Sequence, residues 1–288
     1  MAFSKGNVST ESAELKRYVG VASVYVRGIN PTKEELGKFF DREIENETEY
    51  ISTVDTENGK VDTVRLDFLV EADKEKYNLD LRSRVTIFLR KECRVSRAGK
   101  KQIIDKYGRT AWATPEEIEQ KAIPMYSNGK PANIDKDYRI AYSGEEDLVK
   151  FLIAYLNIPS PQRYVNGQWQ MLEPAKLPDC EAMLESIDSY FKGDVRELKS
   201  IIGFQPNNKV KVLFGVRTAD DGRQFQTTYT RMFLKNSVND YSKLDKEVKE
   251  AQASGALSTC TFDCTELHEY KVDSTDFTEE VTTDTPWG

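Results

Sequence analysis

Between Ser83 and Ser96 the side chains alternate in character with a period of two, which an extended strand produces and a helix does not. Val85, Ile87, Leu89, Cys93 and Val95 fall on one face, and Arg84, Phe88, Arg90 and Arg94 on the other. The first face belongs in a core. The second sets an aromatic ring among three arginines on an outward surface, where burial does not account for the ring.

Further strands are expected at Tyr18–Asn30, at Tyr50–Asp55 and Val61–Glu71 as a hairpin around Asn58-Gly59, and at Lys100–Ala113 as a return strand after the Ala98-Gly99 turn. Another pair, Lys209–Thr218 and Arg223–Lys235, turns through Asp220-Asp221-Gly222, and Leu257–Phe262 gives the last strand. Pro31–Arg42 reads as a short helix. Thr114-Pro115-Glu116-Glu117 supplies an N-cap, a proline at the first helical position and first-turn acids, opening a helix that ends before Pro124. Met125–Gly144 is an irregular stretch of a length that usually has a task, and Ser143-Gly144-Glu145-Glu146 starts an amphipathic helix running to about Ile158. After the proline-punctuated connection Pro159–Pro178, helices are expected at Asp179–Lys192, Asp194–Ile202 and Asp240–Ala253. No internal repeat is present. The expected class is α+β: a β-rich body over residues 1–262, interrupted by a helical insert at about 114–205, and a disordered acidic tail over 263–288.

Charge is divided along the chain. Asp263–Gly288 has eight acids and one lysine, a net −7 that equals the net charge of all 288 residues, so the body is neutral. Within that body Arg82–Arg109 carries ten Lys or Arg against Glu92 and Asp105, a net +8. A basic stripe followed by an acidic end with too few apolar residues to fold alone points to a protein that holds a polyanion and carries a competitor for it. The tail closes on Thr285-Pro286-Trp287-Gly288, and a purely solubilising end has no need of Trp287. Four cysteines, Cys93, Cys180, Cys260 and Cys264, are too few and too scattered for a secreted disulfide scaffold, and no apolar run follows the basic start or approaches a membrane span. A cytoplasmic location is expected.

The two strand pairs share a composition that suits single-stranded nucleic acid, because phosphates attract cations and unpaired bases stack on flat rings. Backbone contacts are expected from Arg84, Arg90, Arg94, Lys100, Lys101, Lys106, Arg109, Lys211, Arg217 and Arg231, and base stacking from Phe88, Tyr107, Trp112, Phe225 and Tyr229. Taken singly, each of these residues is better explained as a solvated strand position or a packed ring; it is the set that carries the reading. The cations lie on expected strands and turns, which disfavours helix-in-groove readers of duplex DNA.

Catalytic signals are thin. His268 is the single histidine, at the start of the acidic tail, and no phosphate-binding glycine loop, dinucleotide fingerprint or HExxH pattern occurs. Glu247-Val248-Lys249 resembles part of a nuclease carboxylate–lysine motif but sits on an expected helix with no strand-borne Asp beside it. Cys260, Cys264 and His268 recur at intervals of four and, with Cys180 or Cys93, would complete a tetrahedral zinc site. That spacing is unusual for a zinc knuckle, so neither metal nor other cofactor is expected.

A β body with cations and aromatics on its binding face, then an acidic tail closing on a Pro–aromatic pair, resembles single-stranded DNA-binding proteins. Ile103-Ile104-Asp105-Lys106-Tyr107-Gly108-Arg109-Thr110-Ala111-Trp112-Ala113-Thr114, Tyr126-Ser127-Asn128-Gly129 and Gly144-Glu145-Glu146-Asp147-Leu148 are similar to segments of those proteins in tailed phages, crAss-like phages in particular. The resemblance implies an OB-like β-barrel, a non-catalytic role coating single-stranded DNA in replication, recombination and repair, and a host-cell cytoplasmic location. It also implies that Asp284, Pro286 and Trp287 dock replication or recombination proteins, although Gly288 moves the terminal carboxylate one residue beyond the bacterial Pro-Phe ending. The rival expectations are a phage structural or accessory protein using the basic strands as an assembly interface, and a metal-dependent nuclease.

Overall fold

The computed structural model describes residues 16–56, 59–158, 162–165, 168–171, 189 and 207–271. In chain order the body runs β1 (Tyr18–Ile29), α1 (Lys33–Phe40), β2 (Ile51–Thr56), β3 (Gly59–Ala72), α2 (Lys74–Tyr77) and β4 (Arg82–Arg90). A small unit follows: β5 (Lys101–Asp105), β6 (Thr110–Ala113), α3 (Pro115–Glu119) and β7 (Tyr138–Ile140). Then come α4 (Glu145–Tyr155), β8 (Gln162–Val165), β9 (Gln168–Met171), β10 (Lys209–Thr218), β11 (Gln224–Thr228) and β12 (Leu234–Lys235). The described chain closes with α5 (Ser242–Ala253), β13 (Cys260–Phe262) and β14 (His268–Glu269).

The architecture is mixed α+β, dominated by a nine-stranded antiparallel sheet. Its long central members pair in the order β11-β10-β1-β3, with β2 and β1 sharing one edge of β3 and β4 occupying the other. Because each of these pairings is antiparallel, β4 and β11 both run in the direction of β1. The two end strands lie side by side with Cα atoms within 8 Å, yet no ladder joins them among the described residues, so the sheet stays open along that seam.

The core is the inner face of this curved sheet. Val64, Leu66, Phe68 and Val70 of β3 stand opposite Leu89, Ile87, Val85 and Ser83 of β4, and Val24, Val210, Val212 and Phe214 complete the lining. Helix α4 fills the space beneath: Leu148, Phe151, Leu152 and Tyr155 join the same cluster, and the Phe151 ring lies 4.4 Å from that of Phe68 and 5.0 Å from that of Phe233. The insert expected at about 114–205 therefore needs correction. Its best-read helix is a core element of the body, and β7 pairs with β5. The helices expected at Asp179–Lys192 and Asp194–Ile202 fall outside the described residues apart from position 189. The Pro159–Pro178 connection, read as loop, holds the β8–β9 hairpin. Its Asn166-Gly167 dipeptide was the available signal.

Two other expectations change. Lys100–Ala113 is a tight hairpin, β5 and β6, rather than one strand returning along β4, whose partner is β3. The turn is held by buried Asp105, which accepts the backbone N–H of Tyr107 and of Arg109 at 2.9 Å each. The start of the acidic tail belongs to the folded body: β14 pairs with β1, Leu267 N–H donates to the Val21 carbonyl, and Gly20 packs against Glu266 so closely that a Cβ would meet its carbonyl oxygen at 2.7 Å. No helix among the described residues is long and apolar enough to cross a membrane.

Local signals explain the caps. Thr32 and Thr114 each close a capping box with the glutamate three residues on, Glu35 and Glu117. At α4 the cap is Gly144, with φ 89°, whose missing Cβ leaves room for the Phe88 carbonyl oxygen, 1.9 Å from where that atom would lie.

Candidate nucleic-acid interface

Opposite the core, the outer face of β3 and β4 is polar and cationic. The register places Arg65 beside Phe88, Asp67 beside Thr86 and Leu69 beside Arg84. Asp67 is fully buried. Its Oδ1 accepts from Arg65 Nε at 2.8 Å and Thr86 Oγ1 at 2.7 Å, and its Oδ2 from Arg84 Nη1 at 3.3 Å. Helix α1 ends over this cluster: the Phe40 ring carries the Arg42 guanidinium 5.3 Å from its centroid and that of Arg84 at 6.0 Å, and Arg82 ties β4 to the helix end by donating to the Phe39 carbonyl at 2.8 Å.

Across the seam stands β11. Phe225, cross-strand from Arg217 of β10, is 46% exposed, and Phe88 on β4 is 51% exposed. The two rings line one cleft of about 860 Å³ together with Lys16, Arg17, Arg42, Arg65, Arg82 and Arg84, against the acids Asp41 and Asp80. A second cavity of about 610 Å³ shares Phe40, Arg42, Arg65 and Arg84, and its far wall is the segment carrying Glu43, Glu45, Glu47 and Glu49. The seam thus brings half-exposed aromatic rings, that of Phe225 with the Arg223 guanidinium 5.8 Å from its centroid, and more cationic than acidic lining side chains into one groove, which can hold phosphates and stack flat rings.

The expected site residues divide. Arg84, Phe88 and Phe225 lie in the cleft. Arg90, at the end of β4, is exposed 3.7 Å from Glu92, and Arg94 pairs with Asp147 of α4 at 3.4 Å. Lys100, Lys101, Lys106, Tyr107, Arg109 and Trp112 belong to the small sheet, whose own core is Ile103, Ala111, Ala113 and Tyr138. There the Tyr107 ring lies between Lys106 and Arg109, at 5.3 and 5.0 Å, and Trp112 is exposed. Arg109 is committed to the hairpin, donating to Asp105 Oδ2 at 2.7 Å and Asn133 Oδ1 at 3.1 Å. Arg217 and Arg231 are exposed away from the cleft lining.

Lys211 and Tyr229 are corrections: Lys211 of β10 lies beneath the segment 238–241 that leads into α5, and Tyr229, just after β11, packs against Leu244 and Val248 of α5 itself. Lys211 is 2% exposed and its ammonium donates to the Val238 carbonyl, Asn239 Oδ1 at 2.8 Å and Tyr241 Oη at 3.2 Å. Tyr229 is 2% exposed, packs edge-on to Phe262 at 5.6 Å and donates to Glu247 Oε1 at 3.1 Å; burial, with Glu247 beside it, pushes its phenol far up. Glu247 is thereby occupied, and Lys249 pairs with Asp245 at 2.7 Å, so the carboxylate–lysine pattern serves the helix and its packing. Asp284, Pro286 and Trp287 lie outside the described residues.

Among the described residues no three His, Cys, Asp or Glu side chains are grouped to hold a metal, and Cys260, Cys264 and His268 form no such group. Cys264 packs under α5, where burial pushes its thiol up to about 11. Lys16, Arg17, Phe40, Arg42, Arg65 and Arg82 line the cleft and were absent from the sequence-derived set. For Arg65 a signal existed, since it alternates with Val64 and Leu66 on the polar face of β3; for Phe40 and Arg42, at a helix end, none did.

The chain matches no protein-family model, and comparison with curated proteins and with solved structures finds no match.

Proposed function

We propose that this protein binds single-stranded DNA without cutting it, seating the strand in the cleft between β4 and β11. The observation that carries the reading is the pair of half-exposed phenylalanines, Phe88 and Phe225, on opposite walls of a groove with six cationic side chains and two acidic ones. Half-exposed rings lining one cleft at a seam that no ladder closes among the described residues offer flat faces on which unpaired bases stack.

The sheet order supports an OB-like barrel as the scaffold. Five strands, β1, β3, β4, β11 and β10, make a ring that lacks only the β4–β11 ladder, and α4 lies in the chain between the third and fourth of them. Partly open five-stranded barrels of that type bind oligonucleotides on the face of their second and third strands, which here are β3 and β4. The acidic tail fits the same picture as an internal competitor. Tyr270 N–H donates to the Arg17 carbonyl at 2.8 Å and Glu269 pairs with Lys16 at 3.1 Å, so the last described residues lie at the lip of a cleft lined by Lys16 and Arg17. In this account the protein resembles those of tailed phages and works in the host-cell cytoplasm. It coats single strands during replication, recombination and repair, and its tail docks the other proteins of those processes.

The test is an anisotropy titration of fluorescein-labelled oligo-dT at several salt concentrations. The reading requires a rise in anisotropy at low salt and an affinity that falls steeply as salt rises. No change at low salt, or salt-insensitive binding, removes it. Val95, Met125, Tyr126 and Ile140, all exposed on or beside the small sheet, favour a second reading of that unit as an assembly surface. Self-association that does not respond to DNA would bring that reading forward.

A further inference from the structure

We infer that Asp67 is a positioning residue of the cleft: its buried carboxylate holds the guanidinium groups of Arg65 and Arg84 as a joint seat for phosphate. The inference rests on the single-stranded DNA reading above and adds to it a consequence of unexpected sign. Removing a negative charge from the floor of this groove weakens its hold on a polyanion.

A carboxylate carries a large cost when taken from water and persists in a buried position only when its oxygens are satisfied. Asp67 meets that condition with three donors from two strands, namely Arg65 Nε, Thr86 Oγ1 and Arg84 Nη1. Its backbone is fixed as well, since its N–H donates to Asn30 Oδ1 at 2.8 Å and its carbonyl accepts from the Asn30 N–H at 2.9 Å. The acid is therefore immobile, and whatever it holds is registered to the sheet.

What it holds is two arginines that both line the main cleft and both line the adjoining cavity. One carboxylate against two guanidinium groups leaves a surplus positive charge at the groove floor. Each guanidinium has five N–H donors and spends a single nitrogen on Asp67, so the planar fork that suits phosphate is kept in a set orientation. Without the acid the two like charges repel and their long side chains regain rotamer freedom, which phosphate binding must then remove again.

The experiment compares Asp67→Asn with the unaltered full-length chain, reading oligo-dT affinity across a salt series, with circular dichroism and melting recorded alongside. The expected result is binding weakened about tenfold, the equivalent of one charge-assisted hydrogen bond, with the salt slope smaller by about 0.7 for each phosphate that is no longer neutralised. Plain electrostatics predicts the opposite, since the variant has one more net positive charge, and tighter or unchanged binding with an equal or steeper slope overturns the inference. If Asp67→Asn does not fold, Thr86→Val carries the test without altering any charge, and there a loss of about threefold is expected from releasing one of the two groups on Oδ1; unchanged affinity overturns it. Failure of the unaltered chain to bind oligo-dT removes the single-stranded DNA reading and this inference with it. Binding by that chain together with tighter binding by Asp67→Asn removes the inference alone.

Discussion

Replacing Phe88 and Phe225 with alanine separates a binding role from a packing role, because the structure gives each role a different magnitude. A fully buried phenylalanine costs about 3–5 kcal/mol of stability when truncated to alanine. Phe88 is 51% exposed and Phe225 46%, so each substitution should cost roughly 1–2 kcal/mol and leave the protein folded. In binding, each ring is worth about 1–3 kcal/mol if a base stacks on it, or roughly 5- to 150-fold in affinity. The rings line one cleft and would hold the same strand, so the double variant should lose more than either single one, with any shortfall from the sum measuring their coupling. The assay is oligo-dT titration at fixed low salt, with thermal melting of each variant. Lys211→Met supplies the opposite control: buried beneath the segment leading into α5, it should lower stability by about 1–3 kcal/mol through the acceptors it abandons and leave affinity unchanged. Phe88→Ala and Phe225→Ala proteins that bind as tightly as the unaltered chain would refute the stacking argument, and a Lys211→Met protein that stays folded yet loses affinity would refute the assignment of Lys211 to packing.

Three further outcomes follow from the same geometry. Gly144→Ala would place a methyl group 1.9 Å from the Phe88 carbonyl oxygen at a residue with φ 89°, and should lower stability by about 3 kcal/mol in denaturant unfolding. Truncation after Lys271, which spares the β14–β1 pairing, should tighten DNA binding by removing the competitor, whereas truncation before Asp263 should also lower the melting temperature; equal melting of the two shortened chains would contradict the fold described for this segment. Lys209 donates to Asp73 at 2.7 Å, and that hydrogen bond pushes the ammonium up from 10.5 to about 12. A raised lysine contributes stability fully below its unfolded value and loses it as pH rises through about 12. Lys209→Met should therefore cost up to about 1 kcal/mol near neutral pH, with the difference vanishing in strong alkali.

Legibility in the sequence followed the range of the interactions involved. Period-two alternation gave the core side of Val85, Ile87 and Leu89 and the outward direction of Arg84 and Phe88, because side-chain direction along a strand is a local property, but it overran the strand: β4 ends at Arg90, so Cys93 is only half-buried and Val95 is exposed rather than in the core. Capping chemistry at Thr114 was equally local. Pairing was harder to read: the strand-like character of Lys100–Ala113 does not say whether its neighbour is its own second half or β4, and the turn at Asp105-Lys106-Tyr107-Gly108, held by the Asp105 carboxylate with Gly108 at φ 73°, decides it. Lys211 and Tyr229 were misassigned for a reason of longer range. Their strands read as two-faced, but whether the polar face meets solvent or α5 with the segment leading into it depends on residues more than ten positions away in sequence. The cleft was only half visible, since its β4 wall lies in the basic stripe while Arg65, Phe40 and Arg17 reach it from segments that look unremarkable in sequence.

The central claim is that single-stranded DNA lies along the seam between β4 and β11, and photo-crosslinking an oligonucleotide bearing 5-iododeoxyuridine, with the linked peptides identified by mass spectrometry, tests it most directly. The account predicts linkages at Phe88 on β4 and Phe225 on β11. Linkages confined to Tyr107, Trp112 and Tyr126 of the small unit, with none on β4 or β11, would contradict it.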